Sequence, residues 1–233
     1  MDKKTIVDEL QEEAEAFADE KLVEEKLKNQ LLPEQAMRER LIVKFKEAHM
    51  MTELNEHISN AVNIIWNEGQ FYLDAEQWQS LQEEMERAKE RVEAIVFDPE
   101  TMTFDEYLGL SNEAIELIEL IGKSKFNESE LASCLSLYAF LSTIKSMEPM
   151  LWYRLGIVLQ ECGDMERAIK AYDMSLEFNP ENIGVYIFSA ECCQELGKQG
   201  DADIRLEQAE KLIEEQLAGQ VWLEPLSILK GKK

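Results

Sequence analysis

Residues 149–182 read PMLWYRLGIVLQECGDMERAIKAYDMSLEFNPEN. Trp152, Leu155, Gly156, Leu159, Gly163, Ala168, Tyr172 and Pro180 stand in one frame within them. A step of 34 residues lands on Tyr186, Ser189, Ala190, Cys193, Gly197, Ala202 and Leu206. Large and small residues alternate across one contact: Gly156 and Ala168 allow two helices to approach, and Trp152, Leu155 and Leu159 line one face of the first helix. Tyr172 is expected to fill the gap between this hairpin and the next. Gly163-Asp164 makes the turn, and Asn179-Pro180 stops the second helix because proline cannot continue it.

That period and pattern are the signature of tetratricopeptide (TPR) repeats, each a helix–turn–helix unit. A third frame, 115–148, fits without a gap but with weaker residues. It has Ile118, Ile121, Gly122, Tyr138 and Leu141, Cys134 at the small-residue position, and Lys125 where an apolar residue is usual. Stable arrays need roughly three repeats. The expected fold is therefore all-α: three tandem TPR hairpins in an α-solenoid (115–148, 149–182 and 183–216) with a C-terminal capping helix over 217–230. Val221, Trp222, Leu226, Ile228 and Leu229 supply that cap, which the last repeat needs because it has no neighbour.

Upstream, the chain reads as an acidic helical region, with a domain boundary at 104/105. A charged helix is predicted over 2–30. A second runs from 34 to 68, entered at Pro33 and closed by Gly69. A third starts at the N-cap Asp74, with Trp78, Leu81, Met85, Ala88, Val92 and Ile95 at spacings of 3 and 4. These fit a bundle, or an oligomerisation seam through which the chain forms a homodimer. Asp98-Pro99 opens a linker holding at most one helical turn.

Composition bounds the partners. A net charge of -24 repels phosphate and anionic lipid, so nucleic acid is not an expected partner, and no stretch approaches 18 uninterrupted apolar residues, so direct membrane insertion is not expected either. Cys134, Cys162, Cys192 and Cys193 form no CxxC pair and suit a reducing cytoplasm. The opening MDKKTIVDELQEEAEAF lacks the apolar core of a signal peptide. His49, Glu53 and His57 share a helix face but are too few for a metal site. No nucleophile or phosphate-loop motif occurs, so neither enzyme activity nor a cofactor is expected.

In a TPR stack the first helix of each hairpin lines the inner, peptide-binding surface. The residues projecting from it are Glu119, Lys123 and Phe126; Met150, Tyr153, Arg154, Ile157 and Gln160; and Ile187, Phe188, Glu191 and Gln194. Tyr153 and Ile157, one turn apart, make an apolar shelf. Met150, Ile187 and Phe188 fit an inter-repeat core equally well, and Arg154 fits a surface pair with Glu161.

Three stretches add a more specific likeness: Leu108-Gly109-Leu110-Ser111 before the first repeat, Phe188-Ser189-Ala190-Glu191-Cys192, and Leu206-Glu207-Gln208-Ala209-Glu210-Lys211-Leu212-Ile213. Over about residues 105–225 the chain resembles the class II chaperones of bacterial type III secretion, the LcrH/SycD family. That resemblance implies a cytoplasmic chaperone that holds a translocator or gatekeeper client in the TPR groove. A general TPR adaptor within a larger assembly is the alternative.

Overall fold

The computed structural model describes residues 12–22, 33–95, 101–215 and 217–231. Residues 2–11 and 23–30 of the first predicted helix, Asp98-Pro99 and the terminal lysines lie outside them. Every regular element among the described residues is helical. The chain divides into two compact units, Met1–Glu56 and His57–Lys233.

In the first unit, helix α1 (12–22) is followed by the opening turns of α2 (Glu34–Glu68). Ala14, Ala18, Met37 and Leu41 are buried. Arg38 bonds Asp19 at 2.9 Å, and its hydrogen bond holds the Asp19 carboxyl below its ordinary pKa.

The second unit takes in the end of α2, α3 (Ala75–Ala94), the one-turn α4 (Phe104–Leu108) and all the repeats. The sequence predicts a boundary at 104/105, yet Ile65, Leu81, Met85 and Ala88 share one core with Ile118, Ile121 and Leu137. Polar ties reinforce that packing. Ser111 donates to Glu84 of α3 through its N–H (2.7 Å) and its hydroxyl (2.6 Å), and Arg91 donates to the Glu106 carbonyl at 2.8 Å. Asp74 caps α3 through a full capping box with Gln77. Gly69 does not act as a left-handed stop. It opens a 3-10 turn, and a Cβ there would lie 2.5 Å from Trp78, so close packing requires the glycine.

The hairpins are α5 (Asn112–Asn127) with α6 (Leu131–Ile144), α7 (Pro149–Glu161) with α8 (Met165–Phe178), and α9 (Ile183–Glu195) with α10 (Gln199–Glu215). α6 packs on α7 and α8 on α9, so the three hairpins stack in chain order. Each turn has the same construction. Ser129, Gly163 and Gly197 occupy one frame position and all have positive φ. The next amides, of Glu130, Asp164 and Lys198, each bond back to the fifth residue before, at Lys125, Leu159 and Cys193. This closure is a Schellman motif, so the first repeat turns like the others despite lacking the glycine.

Tyr172 closes its own hairpin, where a Cβ on Gly156 would lie 2.4 Å from its ring and its hydroxyl donates to Gln160 at 2.8 Å, and it shares one core with Val185 and Cys192 of the next hairpin. Lys125 is buried in the first repeat (1% exposed), where it bonds Glu68 and, at 2.6 Å, Glu130, with the Tyr72 ring 5.1 Å away. The cap forms as a 3-10 segment (Leu217–Trp222) followed by α11 (Leu223–Gly231).

Candidate functional site

The first helices α5, α7 and α9 are linked side by side along one face. Arg154 on α7 reaches Glu119 on α5 at 3.2 Å, not Glu161, and its guanidinium also donates to the Tyr138 hydroxyl at 3.3 Å. Gln160 on α7 donates to Glu191 on α9 at 2.9 Å. The Tyr153 ring lies 6.2 Å from Tyr172 and 6.1 Å from Phe188, and Phe188 meets Trp222 edge-on at 6.1 Å. Polar pairs and a row of rings thus cross the face together.

At the α5–α7 step the face opens into a pocket of about 160 Å³, lined by Lys123, Phe126, Asn127, Tyr138, Arg154, Ile157 and Val158. Its walls are mostly side chains with apolar bodies. Lys123 and Arg154 bring positive charge to it, partly balanced by Glu119, which Lys123 also reaches at 3.2 Å. The Nε of Arg154 is buried without a hydrogen-bond partner. Burial raises the Tyr138 and Tyr153 pKa values, so both rings stay neutral donors at physiological pH. An apolar side chain fits the pocket walls, and the surrounding donors and acceptors match the peptide groups of an extended chain.

Four predicted groove residues, Lys123, Phe126, Arg154 and Ile157, therefore meet in one pocket. Tyr153 stands half-buried in the ring row, and Met150 is exposed at the start of α7. The α9 residues fare differently. Ile187 is 2% exposed and belongs to a second core with Leu226 and Leu229. Gln194 donates to the Leu229 carbonyl at 3.0 Å, Phe188 is half-buried between Tyr153 and Trp222, and Glu191 is half-buried against Gln160. Sequence reasoning missed Asn127, Tyr138 and Val158 as pocket walls. Tyr138 was within reach, because it stands 34 residues before Tyr172. Among the described residues no cluster of acids, histidines or cysteines could hold a metal ion.

Residues 149–182 match the tetratricopeptide repeat family. No curated protein sequence matches the chain. Solved structures share its fold. PcrH of Pseudomonas aeruginosa, in complex with the chaperone binding region of PopD, is 19% identical with a TM-score of 0.51, covering 53% of this chain and 93% of that one. A chain of the CopN–Scc3 complex is 16% identical with a TM-score of 0.54, covering 67% and 99%. A type III secretion complex from Aeromonas hydrophila is 17% identical with a TM-score of 0.50, covering 58% and 95%. The repeats form a TPR α-solenoid, the fold found in type III secretion chaperones. Among the described residues no helix is long and apolar enough to cross a membrane.

Proposed function

We propose that the chain is a chaperone that holds an extended segment of a type III secretion client, a translocator or gatekeeper, in the bacterial cytoplasm before export. The observation that carries this reading is the pocket at the α5–α7 step, apolar inside and surrounded by hydrogen-bonding groups. The fold likeness supports it: PcrH is solved with the chaperone binding region of PopD, and a second similar chain comes from the CopN–Scc3 complex. An apolar client side chain enters beside Ile157 and Val158, while its backbone bonds the flanking polar residues. Holding is passive, set by groove affinity and by the client surface kept from water. The test is co-expression with translocator and gatekeeper proteins of the same cell. A stable stoichiometric complex and a gain in client solubility are expected. Recovery of large folded assemblies alone would favour an adaptor and refute the proposal.

A further inference from the structure

Ile187, Phe188 and Gln194 on α9 stand 34 residues after Tyr153, Arg154 and Gln160 on α7, so the repeat frame assigns them to the same groove face. The face is open at the α5–α7 step and covered at α9. The cover belongs to the chain itself. Met150 stands exposed on α7, and its counterpart on α9 is Gly184, where a Cβ would lie 2.8 Å from the Trp222 ring. Trp222 thus takes the space of a groove side chain and extends the ring row past Phe188. Seven residues further along the cap, the Leu229 carbonyl accepts from Gln194, and Leu226 and Leu229 share a buried core with Ile187.

The cover lacks the finish of a permanent core. The Gln194 Oε1 is buried without a partner, although its amide NH2 is engaged by the cap. Buried polar atoms in a settled core are almost always paired. On the other side of the segment Val221, Leu223 and Ile228 are 75%, 51% and 54% exposed. The α9 face keeps Gln194 beneath an occupant that satisfies its NH2 group and leaves its carbonyl unpaired.

We propose that Trp222 and α11 are an internal occupant of the α9 stretch of the groove, displaced when an extended peptide reaches that stretch. The displacement by a client rests on the function proposed above; the occupancy itself does not. A tethered segment competes at millimolar effective concentration, so it excludes short or weak ligands and yields to long ones. The test uses the full chain and a fluorescein-labelled synthetic peptide of residues 217–231. Anisotropy is expected to show at least tenfold tighter peptide binding to Trp222→Ala/Leu229→Ala than to the wild type, with α-helical circular dichroism retained. Equal binding to both, or binding to neither, overturns the proposal. Hydrogen exchange on the unaltered chain gives a second measurement. Amides of 223–231 should exchange at least tenfold faster than those of α10, through a local opening. Exchange of both segments together would make the cap a fixed part of the fold and overturn the proposal. Neither measurement depends on the client, so failed co-expression would count against the chaperone reading alone.

Discussion

Lys125 and its two acids respond unequally to substitution, and their burial sets the direction. The Lys125 side chain is 1% exposed, whereas Glu68 and Glu130 are 38% and 48% exposed. Replacing both acids in Glu68→Gln/Glu130→Gln strands an ammonium away from water. Breaking a buried pair in this way costs about 3–5 kcal/mol, and the remaining amide oxygens place this case near 3 kcal/mol. Lys125→Met leaves two carboxylates that can turn to solvent and fills the space with a flexible apolar chain. Its expected cost is within about 1 kcal/mol. Urea unfolding at pH 7 reads both as midpoint shifts at unchanged slope. The pH dependence follows from the same contacts. Burial works to lower the Lys125 pKa, but the Glu130 and Glu68 hydrogen bonds outweigh it and raise the value overall. That stabilisation is complete below the unfolded value of 10.5 and fades as pH rises through the higher folded value. The Lys125 hydrogen bond pulls Glu130 below 4.5, so its share is complete above 4.5 and is lost as pH falls through the lower folded value. The wild type should therefore lose its margin over Lys125→Met in acid. The reasoning fails if Lys125→Met costs as much as the double glutamine variant at pH 7.

The two repeat glycines should diverge. In Gly156→Ala the new methyl meets the buried Tyr172 ring at 2.4 Å, and overpacking of about 1–3 kcal/mol exceeds the ~1 kcal/mol helix gain, so the melting temperature falls. Gly122→Ala meets Tyr138 at 3.3 Å, a small adjustment, and should be neutral or slightly stabilising on the same thermal scan. Ser129→Gly relieves the φ of +61° at a turn where the other repeats carry glycine; a gain of about 0.5–1 kcal/mol in urea is expected, net of the entropy glycine adds to the unfolded chain. Tyr153→Ala/Ile157→Ala should weaken client capture at least tenfold in a pull-down while far-UV helicity persists, and loss of the fold would place both residues in the core.

The repeats were legible because their signals are local. The turn between α7 and α8 and the end of α8 follow from Gly163 and Asn179-Pro180, and the 34-residue step carries the repeat pattern into α9 and α10. The first repeat was harder to read because two of its signals are disguised: Ser129 takes the glycine conformation, and Lys125 becomes a core residue only with Glu68, 57 positions away. No window of sequence announces that partner. The same limit hid the sharing of one core by α3 and α5, which moves the start of the compact unit to His57, and the fold-back of Trp222 onto α9. Four of the seven residues lining the α5–α7 pocket, Lys123, Phe126, Arg154 and Ile157, were therefore readable as groove-facing. The α5–α7 residues follow from helical phase alone, while the state of the α9 residues depends on a segment that phase does not describe.

On the proposed function, this division bears on how a passive groove would select its client. A uniform groove over three repeats would bind any apolar stretch and reward length alone. Here the α5–α7 step offers an open-mouthed pocket with Lys123 and Arg154 in an otherwise acidic protein, which on the proposed function would favour a client with an apolar side chain and acceptors close to it. The α9 step presents Ile187, Gln194 and the Gly184 recess only after Trp222 and α11 leave. A ligand that fills the pocket but ends there gains nothing from α9. One that continues must exceed the burial of Trp222, Leu226 and Leu229, and the half-paired Gln194 lowers that threshold. On the proposed function and the proposed displacement of the cap, selection would take place in two stages along one face: anchor chemistry at α5–α7, followed by a length requirement at α9 set by the chain's own cap.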